Sequence, residues 1–316
     1  MNHRSSLLGL ACTLVLPLFA VAACSSSSSD SNDDVSADKA ATDAASAICD
    51  ALQKCSPVLI QVAYGDVATC KTRQKLGLQP ALSANGTSLT PSSLAACARD
   101  LAGTTCEQLT SRNIPESCRT KPGKLADGAA CGSDQQCQNR LCRKEATSTC
   151  GACSKLGAAG DSCKINEECD FGLGCANGKC RAFQAAGQSC DANQRCNPTL
   201  ACKSGTCGTP AEAGQACTTV GLDSECYAAK GVACGLKSNC IQIQFAAPGQ
   251  ACGVVDENFV SCAGGGRCTA PTAKGTCVAP AADGSPCEDD VDGPGCVAPA
   301  RCIGKVCKLD DPSACK

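Results

Sequence analysis

A glycine, two residues and a cysteine, followed by three more cysteines at short intervals, recur six times along this chain. The openings are Gly128-Ala-Ala-Cys131, Gly160-Asp-Ser-Cys163, Gly187-Gln-Ser-Cys190, Gly214-Gln-Ala-Cys217, Gly249-Gln-Ala-Cys252 and Gly284-Ser-Pro-Cys287. Units begin about every 27 to 35 residues, the range of tandem modules. Read in order, their cysteines are Cys131, Cys137, Cys142 and Cys150; Cys163, Cys169, Cys175 and Cys180; Cys190, Cys196, Cys202 and Cys207. The last three units hold Cys217, Cys226, Cys234 and Cys240; Cys252, Cys262, Cys268 and Cys277; Cys287, Cys296, Cys302 and Cys307. A unit of about 25 residues buries too little apolar surface to fold alone, so its cysteines must cross-link. Asn177-Gly178, between Cys175 and Cys180, suits a two-residue hairpin turn. Four cysteines allow three connectivities, and spacing does not choose among them.

Composition agrees with a cross-linked scaffold. The chain has 34 cysteines in 316 residues, no tryptophan, five phenylalanines and two tyrosines. So few aromatics rule out a large core. A net charge of -2 supplies no basic field, so no nucleic-acid partner is expected.

The N-terminus reads as an export signal spanning 1–23. Arg4 is the positive region, an apolar run comes next, and Val21-Ala22-Ala23 offers small residues before Cys24. The apolar run is about 14 residues, short for a membrane span. Val21-Ala22-Ala23-Cys24 resembles a bacterial lipobox, which implies acylation of Cys24 and anchoring to a membrane. Cys12 is a poor rival, with too little apolar sequence before it and the bulky Leu10 nearby. Residues 24–37 form a tether: a serine run, then Asp30, Asp33 and Asp34. Ser25, rather than aspartate, comes directly after Cys24, which by resemblance to enteric lipoproteins implies the outer membrane or cell surface.

Residues 38–120 read as a helical domain. Ala41, Ala45, Ile48, Leu52 and Cys55 recur at helical spacing. Pro57 starts a second helix that Gly65 ends; Asp66 caps a third over 67–76, with Gly77 as its stop. Asn85-Gly86 marks a turn, and Thr90-Pro91 starts a further helix. Cys49, Cys55, Cys70, Cys97, Cys106 and Cys118 lie here, several on the apolar faces, and are expected to staple a small bundle.

Within 121–316, read as six tandem four-cysteine modules, roughly Asp127 to Cys307 resembles the cysteine-rich modules of the Dickkopf N-terminal type and the related EB module. They also resemble predicted cysteine-rich lipoproteins of Gram-negative bacteria, in which a helical cysteine-containing head precedes such repeats. The implied fold is small and disulfide-rich: an α-helical head, then tandem modules with short β-hairpins and little regular secondary structure. Likeness to other small modules implies pairing of first with third and second with fourth cysteine. With Cys12 removed and Cys24 acylated, 32 cysteines remain, an even number. Cys153 and Cys315 are left over from the six units, to pair with each other or to let a neighbouring unit exchange partners.

The chemistry excluded is as informative. His3, the sole histidine, leaves with the signal, which removes Ser-His-Asp and Cys-His catalysis and histidine zinc sites. Cys150-Gly-Ala-Cys153 reads as two scaffold cysteines, not an exchange site, because no βαβ pattern surrounds it. Glu288, Asp290, Asp292 and Gly293 match the first half of a calcium loop, but its twelfth position is Pro299, so a solvated acidic loop is expected. Glu167, Glu168 and Asp170 read as a charged surface. No enzyme activity, cofactor or metal is expected. The expected role is binding, adhesion or scaffolding at the cell envelope, with a membrane, and an unidentified protein or glycan, as partners. The alternative is an inhibitor whose disulfide-held loop plugs an enzyme cleft. The longest inter-cysteine loops, 217–226, 252–262 and 287–296, point to 214–316 as the ligand-contacting half, with the first three units as spacer.

Overall fold

Local capping explains where the helices of the head begin. The computed structural model describes residues 35–145, 147–221, 225–288 and 293–315. Five helices form the head: α1 (Ala37–Cys55), α2 (Pro57–Ala63), α3 (Val67–Ser83), α4 (Pro91–Leu101) and α5 (Cys106–Thr110). The side chains of Ser36, Asp66, Thr90 and Thr105 accept the backbone N–H three residues on, satisfying first-turn donors that the helix leaves free. Cys49–Cys70 ties α1 to α3, Cys55–Cys106 ties α1 to α5, and Cys97–Cys118 ties α4 to the turn Glu116–Cys118. Gly77 does not stop α3, which runs on through Pro80. A Cβ at Gly77 would lie 3.2 Å from Pro299, so this glycine admits a module to the helix surface rather than ending the helix.

Each repeat is built the same way. The opening glycine has φ between +79° and +91° in all six units. It sits third in a turn closed by bonds such as Ala129 N–H to Ala126 C=O (3.1 Å) and Gln188 N–H to Ala185 C=O (3.1 Å). That is the type II position where only glycine is unstrained. The same glycine then donates to the carbonyl of the unit's fourth cysteine. Antiparallel hairpins join the third and fourth cysteines, as in Leu173–Ala176 with Lys179–Ala182 and Arg301–Ile303 with Val306–Lys308. Asn177-Gly178, Ser204-Gly205 and Gly304-Lys305 have positive φ at both turn positions, as two-residue hairpins need. The fifth unit is larger: with Gln244–Ala246 it contributes a five-stranded sheet.

Pairing is first with third and second with fourth in every unit, for example Cys163–Cys175 with Cys169–Cys180. The membership of the first unit needs one correction. Its fourth cysteine is Cys153, bonded to Cys137, and Gly128 N–H donates to Cys153 C=O at 2.9 Å. The two cysteines outside the modules are therefore Cys150 and Cys315, and they bond to each other across 165 residues of sequence.

This bridge closes the array on itself. The described residues form one compact unit, with the helical head in contact with all six modules. Ser88 N–H donates to Gln135 C=O in the first (2.8 Å), and Arg112 donates to three carbonyls of the second. Asn197 of the third reaches Glu107 C=O (3.5 Å). The turn Ala228–Lys230 of the fourth packs on α2. Gly264 and Gly265 of the fifth donate to Gln61 and Val62 of α2 (2.9 and 2.7 Å), and Arg73 of α3 grips the sixth. Ala298 packs with Ile60, Tyr64 and Cys70, so module and head share a core. The expectation of the first three units as spacers gives way to a closed circuit around a hub.

Candidate functional site

Cys24, the expected signal 1–23 and the expected tether as far as Asp34 lie outside the described residues, as do Asp289, Asp290 and Asp292 of the acidic loop. Among the described residues no helix is long and apolar enough to cross a membrane. Glu288, at the edge of that loop, lies 3.6 Å from Lys305, and its carbonyl accepts from Arg267 at 2.6 Å.

The segment between Cys252 and Cys262 is a hairpin, not a loop: Ala251–Val255 pairs with Asn258–Cys262. Its tip, Asp256-Glu257, has φ of +47° and +66°, and Glu257 forms an ion pair with Lys237 on the fourth module's hairpin. Phe259 is half-buried within the second strand. The 217–226 segment is held from inside by Glu225, whose carboxylate accepts from the Thr218 hydroxyl and backbone N–H (3.1 Å to the latter). Those bonds favour the charged form and pull Glu225 from 4.5 down to about 2.

Glu225 belongs to a pattern that the sequence reading missed. In the first, second and fourth units the residue just before the second cysteine closes the turn after the first: Gln136 accepts from Gly132 and Ser133 N–H, and Glu168 from Lys164 N–H (2.6 Å). Superposing the units on their second cysteine would have exposed it. Glu168 is accordingly buried and paired with Arg143 of the first module (3.3 Å), not part of a charged surface; Glu167 remains exposed. Asp170 pairs with Arg140, also of the first module (3.4 Å).

Cys150 and Cys153 are bonded to different partners, Cys315 and Cys137. Around Cys150–Cys315 the first module meets the tail. Lys144 binds Asp310 (2.8 Å), and Arg301 spans Asp310 (2.9 Å) and Ser148 C=O (2.7 Å). Gly132 seats buried Pro312: a Cβ there would lie 2.3 Å from the proline Cα.

Arg112 fastens the second module. It donates to the carbonyls of Asn166, Cys169 (2.9 Å) and Leu173 (3.3 Å), and it lies with Arg119 over the Phe171 ring at 5.8 and 5.7 Å. Burial lowers its pKa, and Glu167, Asp134 and Asp170 oppose that shift. Burial likewise raises Asp134, whose carboxylate accepts from Cys142 N–H (2.7 Å). An open groove of about 750 Å³ between α1 and α4, floored by Ala47, Ala51, Ala95 and Ala98, is lined by no module residue. Compared with known proteins, the chain matches no family model, no curated protein and no solved structure.

Proposed function

We propose that the protein is a lipid-anchored component of the cell envelope with a non-enzymatic binding or structural role. The observation that carries this is Val21-Ala22-Ala23-Cys24 joined directly to a serine and aspartate tether. Twelve residues separate Cys24 from Ala37, the start of α1, a reach of at most about 40 Å. Sixteen disulfides and the closed circuit support a rigid body suited to an oxidising compartment. With His3 inside the signal, a mature chain has no imidazole for catalysis. The surface offered to a protein or glycan ligand is the adjoining hairpins of the fourth and fifth modules, where Lys237 meets Glu257. Several acyl chains give stable anchoring where one is marginal. Cys24→Ala should therefore move the protein from the membrane to the soluble fraction, and mass spectrometry should find an acylated Cys24 at the mature N-terminus. An unacylated residue other than Cys24 there overturns the reading.

One observation favours inhibition as the second reading. The 251–262 hairpin is bridged near both ends, by Cys252–Cys268 and Cys262–Cys277, and presents a braced tip. Tight binding of a protease with very slow cleavage at that tip would support inhibition over adhesion.

A further inference from the structure

We infer that Cys150–Cys315 is a thiol–disulfide exchange site at which an external dithiol opens and closes the circuit of modules. It is the one bridge among the described residues that belongs neither to the head nor to a module. In only two of the sixteen bridges, this one and Cys97–Cys118, are both cysteines partly exposed; every other bridge has at least one buried cysteine. Cleavage has different consequences at the two. Cys97 and Cys118 stay opposed, because α4 packs on the turn that carries Cys118. Cys315 sits on the segment 309–315, whose regular structure is the three-residue turn Pro312–Ala314. With the bridge cleaved, that segment is held by noncovalent contacts alone, the ion pairs of Asp310 and the seating of Pro312 among them. Net opening therefore favours Cys150–Cys315.

The exchange balances. One thiolate of the dithiol attacks a sulfur of Cys150–Cys315, forming a mixed disulfide and releasing the other cysteine as thiolate. The second thiol of the reagent then displaces the first-bound cysteine. Two electrons and two protons reach Cys150 and Cys315, and the dithiol leaves as a disulfide.

The test uses the whole purified protein, titrated with dithiothreitol under native conditions, pulse-alkylated and mapped by mass spectrometry. Cys150 and Cys315 should be alkylated about tenfold sooner than any other cysteine, Cys97 and Cys118 included. Labelling of Cys97–Cys118 or of any module bridge before or together with them overturns the proposal. Gly132→Ala, whose Cβ would lie 2.3 Å from Pro312 Cα and 3.2 Å from Cys315 Sγ, should speed opening of Cys150–Cys315 alone. An unchanged rate, or faster reduction of every bridge alike, contradicts it.

Discussion

Replacing Arg73 by alanine should loosen the last two modules from the head while every disulfide stays intact. Arg73 makes a two-pronged ion pair with Asp283 (2.5 and 2.8 Å) and donates to Ala298 C=O (3.0 Å) and Val297 C=O (2.8 Å). The arginine side chain is 13% exposed and the aspartate 35%, so the pair lies between surface and buried cases. Surface pairs contribute about 0–1 kcal/mol and breaking a buried one costs about 3–5, which places this pair near 2. Two half-buried carbonyls losing their donor add about 1 kcal/mol. A total near 3 kcal/mol raises the undocked population by about two orders of magnitude. The reporters are the Gly264 and Gly265 amides, which bond to α2 from the adjoining fifth module. Their hydrogen exchange should quicken by roughly a hundredfold in Arg73→Ala. Asp283→Asn, which removes only the charge, should quicken it by about tenfold or less. Exchange of both glycines unchanged in Arg73→Ala would refute the idea that modules dock on a hub.

The same geometry sets three further outcomes. Because Glu225 is pulled down to about 2 in the folded chain from 4.5, its contribution is present above about pH 4.5 and is lost as pH falls through about 2; the Thr218 amide signal should titrate with the lower midpoint, and a midpoint near 4.5 would mean the carboxylate is unbonded. Arg112→Ala strands three carbonyls of the second module and should cost about 2–3 kcal/mol in thermal stability, whereas Arg112→Lys should recover little because one ammonium does not span all three. Solution scattering should give a radius of gyration of roughly 19 Å for residues 35–316, the value of a compact unit of that length, and an extended string of modules would give a clearly larger one.

Features set by near neighbours were legible in the sequence. Asp66, Thr90 and Pro91 mark helix starts because a cap acts within three residues. The six opening glycines stood out as a repeat; that each holds the third place of a turn at φ near +80° is seen in the backbone, not in the spacing. Gly77 and Gly132 were not legible in the same way. Each is required by a proline more than 170 residues away, Pro299 and Pro312, and no local spacing records such a contact. The fourth cysteine of the first module was misplaced for a related reason: Cys150 and Cys153 are three residues apart, and only the Gly128 hydrogen bond and the strand register Cys142 to Cys153 distinguish them. The long inter-cysteine segments stood out by length, but length did not say that 252–262 would be a sheet hairpin with Phe259 half-buried within it.

The closed circuit rests on one covalent link, and mapping it is the most direct test. Unreduced mature protein, digested at acid pH to prevent exchange and read by tandem mass spectrometry, should yield a peptide joining Cys150 to Cys315 and another joining Cys137 to Cys153. A Cys150–Cys153 or Cys153–Cys315 peptide in their place would contradict the account.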